Sequence, residues 1–192
     1  MSIGKFTRIK VKVVGRAPIM FDRYLGQSGS GIETKEKAYL GLKDGKCFFP
    51  RINIMSFLCA QNTRSATKTL LDLRKYKKIA SLLAAVVTIP EDKIPLINTK
   101  TGKPYDGDDL LEHRIVARLA NGIPNEKIRP VTETEEWSLE WTMEVEPIDD
   151  TDLNLSMLKF LFEKGGSMVG FGTFRPFYGK FKLVQFEEIK ED

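Results

Sequence analysis

Nine residues, Trp137 to Val145, alternate without a break: Trp137, Leu139, Trp141, Met143 and Val145 fall on one side, Ser138, Glu140, Thr142 and Glu144 on the other. Successive side chains of a strand point to opposite faces, so this segment is a strand with one face in a core and the other wet. Residues 5 to 14 repeat the pattern, setting Thr7, Ile9, Val11 and Val13 against Arg8, Lys10 and Lys12.

Between and after these strands the signals change period. Gly26-Gln27-Ser28-Gly29-Ser30-Gly31 is too rich in Gly and Ser to order cheaply and reads as a mobile loop. Asp44-Gly45 predicts a hairpin joining Lys37–Leu42 to Lys46–Phe49, and Pro50 then opens a helix to about Asn62. From Lys68 to Val87, Leu70, Leu71, Leu73, Ile79, Leu82, Leu83 and Val86 recur at roughly helical spacing, giving one long or one broken helix. Pro90, Pro95, Gly102, Pro104 and Gly107 mark residues 90–112 as an irregular insertion with room for one short strand. Asn121-Gly122 predicts a basic hairpin over residues 113–131, carrying Arg114, Arg118, Lys127 and Arg129. Asp149-Asp150-Thr151 offers a helix N-cap, Leu153, Met157, Leu158, Leu161 and Phe162 form an apolar stripe, and Gly165 is expected to end that helix near Lys164. Lys180 to Phe186 reads as a terminal strand.

This order predicts an α+β fold: a single domain with a ferredoxin-like β-α-β-β-α-β core and helical and hairpin insertions. In that topology the first strand lies between the third and the fourth, here residues 5–14 between 137–146 and 180–186. Glu140, Glu144 and Glu146 then come within reach of Arg8, Lys10 and Lys12, and such opposite-charge pairs contribute roughly 0.2–1 kcal/mol each. The charged sheet face is therefore expected to be structural rather than an open binding platform like that of the RRM.

With 192 residues, 42% hydrophobic and 29% charged, the chain has the composition of an ordinary globular protein. No apolar run approaches the ~20 residues that span a bilayer. The opening residues lack the apolar stretch of a signal peptide, and Cys47 and Cys59 read as buried, reduced thiols, so a cytoplasmic setting without a membrane partner is expected. The net charge of +4 favours an anionic partner. Residues 64–78 concentrate Arg64, Lys68, Arg74, Lys75, Lys77 and Lys78 around the single acid Asp72.

Gly165-Gly166-Ser167-Met168-Val169-Gly170-Phe171-Gly172-Thr173-Phe174-Arg175-Pro176-Phe177-Tyr178-Gly179 interleaves five glycines with aromatics and one arginine. Glycines admit close backbone approach, aromatic faces stack on bases, and Arg175 can pair with phosphate, a combination suited to a single-stranded nucleic acid. Dinucleotide and P-loop cradles are excluded, because those follow a strand and open a helix, whereas this loop follows a helix and precedes a strand. The competing reading is a bulge in which Phe171, Phe174 and Phe177 simply fill a core.

A ferredoxin-like domain with a Gly-rich loop between its last helix and last strand resembles the RAMP superfamily, the RNA-binding proteins of CRISPR effector complexes. Gly170 to Phe181 also resembles the ending of small phage and prophage proteins. The likeness covers the C-terminal third and, more thinly, Val14-Gly15-Arg16-Ala17-Pro18. It implies a crRNA-binding backbone subunit that polymerises along RNA, or a metal-independent endoribonuclease.

The residues set out for nucleic-acid binding are Arg74, Lys75, Lys77, Lys78, Arg114, Arg118, Arg129, Gly170, Phe171, Gly172 and Arg175. The expected function is a non-catalytic, RNA-favouring single-strand binder, with DNA as the other candidate ligand, self-associating as a homo-oligomer or filament. The alternatives are an endoribonuclease using His113 and a phage structural or interaction protein without a nucleic-acid role. His113 is the one histidine and the only candidate acid or base, although it reads first as a surface residue. One His and two separated Cys give no zinc ligand set, and neither a cofactor nor a metal is expected. Asp108-Asp109 reads as a loop turn rather than a cation site.

Overall fold

The computed structural model describes residues 6–25, 33–41, 44–118, 122, 124–147 and 152–190, with Ala117 and Arg118 described by their backbone. The elements run β1 (Thr7–Gly15), β2 (Phe48–Pro50), α1 (Arg51–Cys59), α2 (Ala66–Leu70), α3 (Lys75–Val86), β3 (Val87–Thr88), β4 (Lys93–Pro95), β5 (Ile97–Asn98), β6 (Leu111–Arg118), β7 (Pro124–Val131), β8 (Trp137–Val145), α4 (Leu155–Met168) and β9 (Phe181–Glu188).

The alternating strands meet as the topology requires. The central sheet has the order β3-β8-β1-β9, antiparallel throughout, and β5 extends it along β8. This is the ferredoxin-like α+β arrangement, with the first strand between the third and the last. Ile9, Val11 and Val13 of β1 and Trp137, Leu139, Trp141 and Met143 of β8 are buried in one core with Ile54, Phe57 and Leu58 of α1, Ile79 and Leu83 of α3, and Leu158, Leu161 and Phe162 of α4. The helices therefore share one face of the sheet. On the other face the register sets Lys12 opposite Glu140 and Arg8 opposite Glu144. Glu140 lies 2.7 Å from Lys10 Nζ and 3.0 Å from Lys12 Nζ, and Glu144 lies 3.0 Å from Arg8 Nε. Glu146 is one residue beyond the last register pair and Val145 closes the ladder.

Three expectations are corrected or refined. The helical stretch after Lys68 is broken: α2 starts on Ser65, whose side chain accepts from Lys68 N–H, and Leu71–Arg74 separates it from α3. Residues 90–112 are more ordered than their Pro and Gly content implies, because β4 pairs with β2 and β5 with β8. Asp106 and Asp109 close a capping box there, and Asp108 accepts from Lys35 at 2.9 Å, so these acids serve a turn. Finally, Gly165 does not end the last helix. Its Cα faces Phe57 and Ala66, and an added Cβ would lie 2.7 Å from the Phe57 ring; at Gly166 it would lie 2.6 Å from Phe181 O. The glycines let α4 approach its neighbours closely, and the helix continues to Met168. Its N-cap is Asn154, whose side chain accepts from Met157 N–H at 2.9 Å; Asp149-Asp150-Thr151 and the Gly26–Gly31 segment lie outside the described residues.

The Asp44-Gly45 turn has Gly45 at φ +65°, with Gly41 and Phe48 N–H bonded to Lys46 and Tyr39, and among the described residues of the predicted hairpin the pairing amounts to the isolated bridge Leu40 to Cys47 rather than two strands. Cys47 and Cys59 are free thiols, and burial pushes the Cys47 thiol up to about 12, so it stays protonated and inert. Among the described residues no helix is long and apolar enough to cross a membrane.

Candidate nucleic-acid interface

The Gly-rich loop occupies residues 169–180 and folds back over the chain leaving β1. Arg16 N–H donates to Lys180 O at 2.7 Å, Gly179 N–H to Pro18 O at 2.8 Å and Thr173 N–H to Met20 O at 2.9 Å. Two glycines make that docking sterically feasible. Gly172 and Gly179 have φ of +76° and +72°, and a Cβ would meet Met20 O at the first and Phe171 O at the second. The stretch from Arg16 to Met20, which begins within the thinner sequence likeness Val14–Pro18, is thus the surface on which the loop is built.

The loop has an inner and an outer side. Phe171 is 1% exposed, and its ring lies 4.4–4.9 Å from those of Phe181, Phe49 and Phe57. It cannot reach a ligand, which corrects its place among the binding residues: it is the core anchor of the loop. Phe177 is 84% exposed, and no sequence period distinguished it from Phe171.

Arg175 is half-buried on the outer side and has no hydrogen-bond or ion-pair partner among the described residues. Burial, and then the nearby Arg64 guanidinium, hold its pKa below the ordinary value. Neither Arg64 nor Arg175 has an ion-pair partner among the described residues. Beside them is a pocket of about 210 Å³ lined by Phe21, Asp22, Tyr39, Asn53, Ser56, Gly172, Thr173 and Arg175. Sequence reasoning missed Asn53 and Ser56; their only signal was two uncharged polar residues three apart on a helix, α1, that is apolar after Arg51.

The β6–β7 hairpin docks on the same β1 exit. Phe21 N–H donates to Pro130 O at 3.0 Å, Thr132 N–H to Ile19 O at 3.0 Å, and Met20 bridges Val131. Its basic residues divide into distinct environments. Arg129 is 7% exposed, with Nε 2.7 Å from Asp22 Oδ1; the angle falls short of a hydrogen bond, so the contact is an ion pair. Arg129 is therefore a structural cation, corrected from a binding one. Arg114 is exposed and pairs with Glu126 at 2.6 Å. The Arg118 side chain lies outside the described residues. His113 is exposed, with Nε2 3.0 Å from the Tyr178 hydroxyl, which joins the hairpin to the loop.

The α3 cluster stands apart. Lys75 and Lys78 lie 3.6 and 3.3 Å from Asp152, just before α4, whereas the loop follows the other end of that 14-residue helix. At 1.5 Å per residue the two places are roughly 20 Å apart. Arg74 and Lys77 are exposed and have no side-chain partner among the described residues.

The class defined by this arrangement is a ferredoxin-like α+β domain whose last helix and last strand are joined by a docked Gly-rich loop. Among solved structures it is similar to a chain from the cryo-EM structure of the Type III-B Cmr-beta bound to cognate target RNA, with a TM-score of 0.51 and 13% identity. The match covers 97% of this chain and 61% of that one, and at such identity it shows the fold. No protein-family model and no curated protein matches the chain.

Proposed function

We propose that this protein is a non-catalytic, RAMP-like binder of single-stranded nucleic acid, with RNA preferred, that holds the strand at the outer side of the Gly-rich loop. The observation that carries this reading is Arg175, half-buried in the loop without a hydrogen-bond or ion-pair partner among the described residues, with the Arg64 charge further disfavouring its own. A half-buried guanidinium beside another cation, without a carboxylate partner, is stabilised by an arriving phosphate, and a fork of N–H donors fits phosphate oxygens. Phe177 supplies an exposed ring for base stacking, and Arg74 and Lys77, without side-chain partners among the described residues, give a second basic patch. A similar fold in an RNA-bound assembly supports RNA over DNA. Association of copies along the strand belongs to the same proposal, since a head-to-tail contact that does not close builds a filament.

Fluorescence anisotropy with labelled rU15 and dT15 over a salt series tests the proposal. Binding that weakens linearly in log salt, and weakens further in Arg64→Ala and Arg175→Ala, is expected. Absence of any salt-dependent binding would leave the interaction-protein reading instead. Cleavage of RNA that is lost in His113→Ala would convert the assignment to an endoribonuclease.

A further inference from the structure

The pocket beside Arg175 has a composition that a phosphate site does not need. Its polar side chains come from four separate segments: Asp22 after β1, Tyr39 before β2, Asn53 and Ser56 on α1, and Thr173 and Arg175 in the loop. The side chains of Asn53, Ser56, Thr173 and Arg175 make no hydrogen bond to the described residues, so the pocket presents unspent donors and acceptors. Asp22 is oriented by Arg129, and its carboxylate lines the same space as Arg175 without an ion pair between them. Phe21 and Tyr39 close one side, with Arg23 5.9 Å from the centre of the Tyr39 ring.

A carboxylate in the lining repels phosphate. A cation and an acid held apart, with aromatic lining and mixed amide and hydroxyl groups, match a planar heterocycle that has acceptors on one edge and donors on another. Guanine has that pattern: O6 and N7 accept, as in the common arginine contact, while its N1–H and N2–H groups donate to a carboxylate. At about 210 Å³ the pocket is below the ~300–1,000 Å³ of drug-sized sites and suits a single base.

We infer that this pocket receives one unstacked guanine of the bound strand, so that a single position is read by base while the loop holds the backbone. The inference rests on the proposed RNA-binding role. Arg175 stands at the boundary between the two, one side toward the backbone and the other toward the base.

The test is anisotropy with labelled rU15 and with rU15 carrying one central G, A or C, using the full chain. The G-containing strand is expected to bind about tenfold more tightly than the other three, the discrimination of a good bidentate contact. Ser56→Leu and Asn53→Leu, which fill the pocket, should reduce that preference to within twofold while rU15 affinity is unchanged. Asp22→Asn should do the same, and the two leucine variants decide the matter if loss of the Arg129 ion pair unfolds it. Equal binding of all four strands, a preference for another base, or a guanine preference that survives both leucine variants overturns the inference and leaves the RNA-binding reading standing. If rU15 itself does not bind, the reading falls first. Thermal shift with free GMP, AMP, CMP and UMP then decides the pocket by itself, with a shift confined to GMP and lost in Ser56→Leu supporting it and no GMP shift overturning it.

Discussion

Phe171 and Phe177 are six residues apart in one loop, and they have opposite surroundings: 1% exposed among four other aromatic rings, and 84% exposed two residues from an arginine with no partner among the described residues. The inner half of the loop belongs to the core, and through it the outer half is held in one place. A loop rich in glycine becomes a fixed surface when one large side chain anchors it and its backbone N–H groups donate to the neighbouring chain, here Pro18 and Met20. Binding and stability should therefore be separable by substitutions only a few residues apart.

The inner half gives the largest expected effect. Phe171→Ala should destabilise the protein by about 3–5 kcal/mol, the usual cost of removing a buried aromatic, read as a lower urea midpoint. RNA affinity should fall with it, because the anchor is lost. A variant that loses less than ~1 kcal/mol would mean that the loop is not held by the core.

Arg175→Ala addresses the outer half. With no internal partner to lose, its stability should stay within ~0.5 kcal/mol of the parent. RNA binding should weaken by about 1.5–3 kcal/mol, the range for hydrogen bonds to charged groups, measured by anisotropy at fixed salt. Phe177→Ala should also leave the melting curve in place and cost ~1 kcal/mol of binding, the low end for base stacking. If either substitution melts the protein, the two halves are one structural unit and the separation fails.

The sheet was readable in the sequence because a period of two survives any packing: Ile9, Val11 and Val13 had to face the same core as Leu139 and Trp141. The cation pairing on its open face was readable too, since the topology set the register. The loop was readable only in outline. Outside regular structure no period says which aromatic turns inward, so Phe171 was read as a ligand contact. Gly165 has the signature of a helix stop because close packing and chain termination call for the same residue. Arg129 and Arg175 are both single arginines near turns, and nothing in the sequence shows that Asp22 pairs with the first and leaves the second without an ion pair among the described residues. Asn53 and Ser56 have no sequence signal strong enough to mark them, because a pocket assembled from four separate segments exists only after folding.

The smallest effect tests the region that the loop contrasts with most, the charged sheet face. Hydrogen bonds from Lys10 and then Lys12, together with their charges, hold the Glu140 carboxyl below its usual range. Below the carboxylate's ordinary pKa the unfolded chain takes up this proton while the folded chain does not, so the unfolded state binds more protons there. Stability from this site is therefore fully present above the unfolded pKa and is lost as pH falls through the folded one. Glu140→Gln should remove that slope from a urea titration between roughly pH 4.5 and lower. It should leave RNA binding at neutral pH nearly unchanged, since the lysines it releases are on the face away from the helices and loop core. A large gain in RNA affinity in Glu140→Gln would show that Lys10 and Lys12 are a masked binding surface, and that the boundary between structural and binding cations follows ion pairing alone rather than position in the fold.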